Sequence, residues 1–267
     1  VRAAPHDDVL LLSSGGRAWR NQVGFVPDKA TLGQLGLGRD EGLVGLEVLP
    51  DATPLPGDRT LAFLTRAGRI KRTLLADVAL TPGNWATVVG LPDDGDRVLA
   101  AGITAPGAEA LFATAGGYLL RTTMDAVNPQ ASGSARGVAG IAVRADDHLV
   151  GAAIVPAELT GGGPEAGGVW VFIATATGYI KRVPLAEYPH KGRGTGGVQT
   201  LKVTGLTGQV AAVAVGDETA GVDVLFENGK RQRIPAADVP AENRYRQGAR
   251  LIALLEAGAP IVGMVVG

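Results

Sequence analysis

The sequence predicts an all-β protein of five propeller-like blades, each holding about four short strands. Three observations predict this fold. An apolar run, a glycine, and an arginine four residues after that glycine recur together five times, at Gly16, Gly68, Gly117, Gly178 and Gly229. The recurrence interval is close to 50 residues, the length of a four-stranded blade. The chain is 46% apolar with only 4% aromatic residues, and it holds 40 glycines. That composition suits a Val/Leu/Ile/Ala core crossed by many tight turns.

The repeats are taken as about 7–58, 59–107, 108–158, 159–220 and 221–267 of a single domain, residues 1–267. Each opens with a β-hairpin. The apolar first strands are Val9–Leu12, Leu61–Leu64, Ala110–Ala113, Val169–Ala174 and Val222–Phe226. The turn glycine, expected at positive φ, leads into the second strand, as in Tyr179-Ile180-Lys181-Arg182. Later strands are expected at Leu43–Leu49, 149–155, 210–215 and 260–266, the last three each preceded by a segment at 136–143, 197–203 and 248–254. The stretch 159–168, LTGGGPEAGG, reads as a linker and accounts for the longer interval between Gly117 and Gly178.

Composition narrows the function classes. No apolar run approaches the roughly 20 residues that span a bilayer, so no membrane partner is expected. The absence of cysteine excludes disulfides and thiolate metal sites. The start, Val1-Arg2-Ala3-Ala4-Pro5-His6, lacks an apolar signal segment. A cytoplasmic location is therefore expected. The abrupt polar start also suggests a fragment of a longer polypeptide. His6, His148 and His190 stand in no metal-ligand spacing, and the glycine runs match no nucleotide-binding pattern. Asp146-Asp147 and Asp93-Asp94 read as turn formers. The formal net charge is −1, but residues 178–250 carry 11 Lys+Arg against 7 Asp+Glu. The loop Lys191-Gly192-Arg193-Gly194-Thr195-Gly196-Gly197 in that region is the segment best suited to a polyanion.

The repeated TxxG–YIKR element, Arg136-Gly137-Val138 and the KGRGTGGV loop together resemble the C-terminal domain of bacterial type IIA topoisomerase A subunits, those of DNA gyrase and topoisomerase IV. The resemblance runs repeat by repeat along the whole chain. It implies a β-pinwheel of five or six four-stranded blades that exchange strands, with duplex DNA bent around a basic rim. The partners it implies are the B subunit of the enzyme, together with the rest of the A subunit. ATP and Mg are used elsewhere in such enzymes, and no cofactor or catalytic residue is expected here. Gyrase carries a QRRGGKG box, usually in its first repeat. Here the nearest match is Lys191–Gly197 in the fourth, where Arg193, Gly194 and Gly197 fit while Gly192 and Gly196 replace an Arg and a Lys. The first repeat has no box. Gyrase and topoisomerase IV both remain open as the parent enzyme.

Sequence-independent binding needs Lys and Arg spaced along a rigid curved surface. Lys191, Arg193, Arg136, Arg244 and Arg246 lie in loops and are the first candidates. Lys71 and Lys181, three residues after the turn glycine, alternate away from the apolar face and are also expected to reach phosphate. The arginines one residue further on (Arg20, Arg72, Arg121, Arg182 and Arg233) suit either a structural role or a DNA contact. Tyr118, Tyr179, Trp19, Trp85 and Trp170 are expected to pack. The alternative function class is a propeller that binds proteins and has no DNA affinity.

Overall fold

The computed structural model describes residues 3–50, 57–92, 95–160, 168–251 and 258–267. Most of the 159–168 stretch, Asp93-Asp94 and the strand residues after Leu251 lie outside the described residues. Among the described residues there are nineteen strands and one four-residue helix, Ala157–Thr160. In chain order the strands are β1 (Asp8–Ser13), β2 (Arg17–Gln22), β3 (Leu43–Leu49), β4 (Thr60–Thr65), β5 (Arg69–Leu74), β6 (Trp85–Thr87) and β7 (Val98–Thr104). They continue with β8 (Glu109–Thr114), β9 (Tyr118–Thr123), β10 (Val138–Ala139), β11 (Leu149–Val155), β12 (Trp170–Thr175) and β13 (Tyr179–Pro184). The last are β14 (Val198–Gln199), β15 (Val210–Gly216), β16 (Gly221–Phe226), β17 (Arg231–Pro235), β18 (Ala249–Arg250) and β19 (Ile261–Val266).

All five expected hairpins form. Their closing glycines have φ between 75° and 90°, a region that side chains with a Cβ rarely enter. The residue three before the glycine explains the TxxG pattern. In three turns its hydroxyl accepts the amide that follows the glycine: Arg17 N to Ser13 Oγ, Tyr118 N to Thr114 Oγ1 and Tyr179 N to Thr175 Oγ1. This bond fixes the turn where the strand register also shifts, at Leu12/Ser13 and Ala174/Thr175.

The described residues form two compact units. In the first, residues 1–106 and 125–139, the sheets run β3-β1-β2-β6 and β7-β4-β5-β10. In the second, residues 107–124 and 140–267, they run β11-β8-β9-β14, β15-β12-β13-β18 and β19-β16-β17. Each repeat thus builds three strands of its own sheet. Each repeat after the first also lends a strand of two or three residues to the sheet before it. The lent strand always lies at the sheet edge, opposite the two residues after the turn glycine: Val138 against Ile70, Val198 against Leu119, Ala249 against Ile180. The fifth sheet has three strands rather than the expected four, because each fourth strand comes from a following repeat and none follows among the described residues.

Apolar packing joins neighbouring sheets within each unit. Leu10 and Leu12 pack with Leu61 and Phe63 in the first. Phe172, Ala174 and Ile180 pack with Val222, Val224 and Phe226 in the second. Burying each such side chain contributes roughly 1.5–3 kcal/mol. The fifth sheet breaks this pattern on its other face. Asp223 stands where the fourth sheet has Phe172, and it pairs with Arg231 at 2.9 Å and Arg233 at 2.7 Å. On the first sheet, Val9, Leu11 and Trp19 pack with Val26, Leu35 and Leu43, so the first repeat's glycine-rich loop serves as an apolar cover.

Strand lending makes a sharp demand on the glycine that enters the lent strand, at Gly137, Gly197 and Gly248 alike. Gly197 enters β14 with φ 71°, and a Cβ there would lie 2.5 Å from the Leu119 carbonyl oxygen. Gly194 shares the positive φ, but a Cβ there meets nothing within 4 Å. Gly197→Ala is therefore expected to cost about 2–4 kcal/mol and Gly194→Ala about 1–2 kcal/mol, the backbone term alone. Chemical denaturation of the two variants checks the difference.

Candidate nucleic-acid interface

The loops that precede the lent strands carry exposed cations. In the fourth repeat, Lys191 N donates to the Arg121 carbonyl at 2.9 Å and Gly194 N to the Gly140 carbonyl at 2.6 Å. Thr195 Oγ1 closes the loop on the Gly192 carbonyl at 2.9 Å. Anchored in this way, residues 191–196 are all exposed, Lys191 and Arg193 among them. Gly192 and Gly194 have open space on their Cβ side, a Cβ at Gly196 would meet only the Ala142 carbonyl oxygen at 3.6 Å, and Gly197 is closed against the partner strand. The loop is therefore a thin backbone edge that a phosphate chain can approach closely. The equivalent loop of the fifth repeat exposes Arg246 and half-buries Arg244, whose guanidinium lies 4.5 Å from the Tyr245 ring centre. The third repeat exposes Arg136 at the corresponding turn.

Lys71 and Lys181 do not face phosphate as expected. Both are fully buried. Lys71 Nζ donates to the carbonyls of Val88 and Ser132. Lys181 Nζ donates to those of Thr200 (2.7 Å), Asn243 (3.1 Å), Arg244 (3.0 Å) and Arg246 (2.6 Å). Strand alternation did turn them away from the apolar face, but that side is covered by the lent loop of the next repeat. Burial lowers both ammonium groups to about 8. Around Lys181 the carboxylates of Glu242 and Glu187 act the other way. Both lysines stay cationic at neutral pH, and the carbonyls that surround them match that charge.

The arginine four residues after each turn glycine makes contacts within the protein, and Arg182, expected among the DNA contacts, has a side chain only 11% exposed. Its partner is the residue eight before the glycine, diagonally across the hairpin. Arg20 pairs with Asp8, Arg72 Nε donates to Thr60 Oγ1 at 3.1 Å, and Arg121 holds Glu109 through bonds of 2.6 and 2.9 Å. Arg182 lies 4.4 Å from the Trp170 ring centre. At the fifth hairpin that position is Gly221, and the Arg233 guanidinium occupies the space a side chain would fill. Three of these arginines also reach the next repeat: Arg72 the Val127 carbonyl, Arg121 those of Leu185 and Tyr188, and Arg182 that of Val239. The recurring partner at glycine minus eight was legible in the sequence as a fixed spacing. Its chemistry was hidden because Asp, Thr, Glu, Trp and Gly fill the position in turn.

Trp19 and Tyr179 are buried, while Trp85 on the edge strand β6 and Trp170 at the start of β12 are half-buried. Tyr118 lies beneath Arg144, 3.6 Å from the guanidinium carbon. Tyr188 is buried, its hydroxyl bonded to Thr200 Oγ1, and burial holds its phenol well above the usual range. Among the described residues no three His, Asp or Glu side chains are grouped to hold a metal ion. No helix among them is long and apolar enough to cross a membrane.

The Arg121–Glu109 pair is almost fully buried, and His190 Nε2 lies 3.1 Å from the same carboxylate. Breaking a buried pair leaves one charge without its counter-charge, at a cost of about 3–5 kcal/mol. Glu109→Gln is expected to lower stability by that amount, measured by denaturant unfolding. Because Arg121 and His190 support the start of the 191–197 loop, proteolysis of that loop is expected to quicken as well.

Comparison with known proteins agrees with this architecture. Residues 59–105, 108–156 and 170–215, over half of the chain, match the family described as "DNA gyrase C-terminal domain, beta-propeller". The A subunit of DNA gyrase from Staphylococcus aureus (strain NCTC 8325 / PS 47) is 26% identical over 261 residues, which are 95% of this chain and 28% of that protein. The chain thus spans little more than a quarter of that relative's length. Among solved structures, the C-terminal domain of DNA topoisomerase IV superposes with a TM-score of 0.83 at 20% identity, covering 98% of this chain and 79% of the other. The DNA gyrase A C-terminal domain gives 0.71 at 19% identity, covering 99% and 83%. These likenesses show a shared fold, and with the matched repeats they establish that the chain belongs to the family of DNA gyrase C-terminal β-propeller domains.

Proposed function

We propose that this domain binds duplex DNA without sequence preference and bends it, as the wrapping domain of a type IIA topoisomerase A subunit. The observation that carries this reading is the recurrence of exposed cations on anchored loops at the sheet edges: Lys191 and Arg193 in one repeat, Arg246 beside the half-buried Arg244 in the next, Arg136 in another. Family membership supports it. Phosphate contacts of this kind position DNA and carry no sequence information. Bending duplex DNA costs several kcal/mol by elastic estimates, so repeated contacts are needed to offset it. The domain contributes geometry and charge, not covalent chemistry. Strand cleavage, ATP and Mg belong to its partners in the bacterial cytoplasm, the B subunit together with the remainder of the A subunit.

Equilibrium binding to a fluorescent duplex over a salt series tests the reading. Log K should fall linearly with log salt, with a slope of about −0.9 for each phosphate neutralised. Lys191→Glu with Arg193→Glu should weaken binding and, for two lost contacts, reduce that slope by about 1.8. Melting should stay unchanged, since both side chains are exposed. Salt-independent or undetectable binding by the unsubstituted domain overturns the proposal and favours a protein-interaction platform. Ligation of a nicked plasmid with the domain bound then separates the two enzymes. A shift to positive writhe identifies gyrase-type wrapping. Binding without a shift identifies bending of the topoisomerase IV type.

A further inference from the structure

We infer that Lys181 is a positioning residue for DNA: its buried ammonium holds the Asn243–Gly248 loop with carbonyls inward, which presents Arg244 and Arg246 to the phosphate backbone. The inference rests on the proposed DNA binding and adds a residue that touches no DNA itself.

The geometry is specific. Three of the four carbonyls on Lys181 Nζ belong to one four-residue stretch, Asn243, Arg244 and Arg246, and the fourth is Thr200 of its own repeat. An ammonium has three protons, so four acceptors within 3.1 Å share them and leave none for another partner. The loop ends are held by carboxylates: Arg244 N donates to Glu187 at 3.0 Å and Gly248 N to Glu242 at 3.1 Å. A backbone that turns its carbonyls inward to a buried cation directs side chains outward. Arg246 is exposed and Tyr245 is 66% exposed, with Arg244 Nη2 bonded to the Tyr245 hydroxyl at 2.6 Å.

The second repeat repeats the device. Lys71 occupies the equivalent position and bonds Val88 and Ser132, the equivalents of Thr200 and Asn243. The third repeat has Leu120 there. Its lent loop makes the same amide bond as the loop on Lys181, Lys191 N to the Arg121 carbonyl as Glu242 N to that of Arg182, and adds one from Gly194 N to the Gly140 carbonyl. Such a loop can therefore form in this fold without a buried ammonium.

The test is a double-mutant cycle on the whole chain, read by duplex affinity and salt slope below the unfolding transition. Lys181→Met is expected to weaken binding about tenfold, to reduce the slope by about 1.8 as two contacts are lost, and to speed amide exchange at residues 243–248. In an Arg244→Ala/Arg246→Ala background Lys181→Met should have no further effect on affinity. Lys71→Met, which disturbs a different loop, should keep its full effect there. A merely structural role would lower the melting temperature while leaving the slope unchanged, and that result overturns the inference. Additive effects of Lys181→Met and the arginine pair overturn it equally. Should Lys181→Met fail to fold, Lys181→Gln, which keeps a shorter donor, is read by the same criteria. If the unsubstituted chain binds no duplex, the proposed function itself fails, and this inference with it.

Discussion

The structure depends on a strand of two or three residues that each repeat after the first lends to the sheet before it. The lent strand supplies the edge of that sheet, so no sheet that receives one is finished by its own repeat. Its backbone bonds are few, and side chains from the receiving hairpin add the rest. Lys71 and Lys181 take the carbonyls of the incoming loop, and Arg72, Arg121 and Arg182 take those of the segment before it. The basic residues of the second strand thus fasten one repeat to the next. Removing any of them would strand buried carbonyls, which is why charge is retained in so apolar an interior.

This division of labour separates two kinds of cation that look alike in the chain. Lys71, Lys181, Arg72, Arg121 and Arg182 on the second strands lie against the next repeat's segment and bond the protein's own backbone. Those on the loops stay in water, where mobile counter-ions can be exchanged for a phosphate chain. The net charge near zero is then no obstacle to binding a polyanion. Part of the positive charge is matched by Asp8, Glu109 and Asp223 inside the hairpins, and the loops carry the charge that a ligand would meet. The glycines have separate duties as well. Gly197 permits the strand contact, while Gly192 and Gly196 thin the exposed loop.

One face of the first sheet and one face of the fifth are finished by local residues. The first sheet covers Leu11 and Trp19 with Leu35 of its own loop and Leu43 at the start of β3. The fifth replaces the aromatic residue at that point with Asp223 between two arginines. Local substitutions therefore finish each of these faces without changing the strand order beneath.

The sequence by itself determined the five hairpins, their turn glycines, the order of strands within each repeat and the loops that expose cations. Each of these is set by spacing along the chain: an apolar run, a residue able to adopt positive φ, and a glycine-rich stretch. It could not determine which sheet the short strand after Gly137, Gly197 or Gly248 would join, since two residues carry no periodicity. Nor could it tell Lys181 from Lys191. Both are lysines beside glycine-rich segments, and alternation along β13 says only that Lys181 leaves the apolar face. Tertiary structure decided the rest, because a loop some 60 residues further along covers that face and offers carbonyls. The same fact made Arg182 a clamp on the Val239 carbonyl. Burial is a property of what arrives from elsewhere in the chain, and it decides whether a positive charge serves the fold or its ligand.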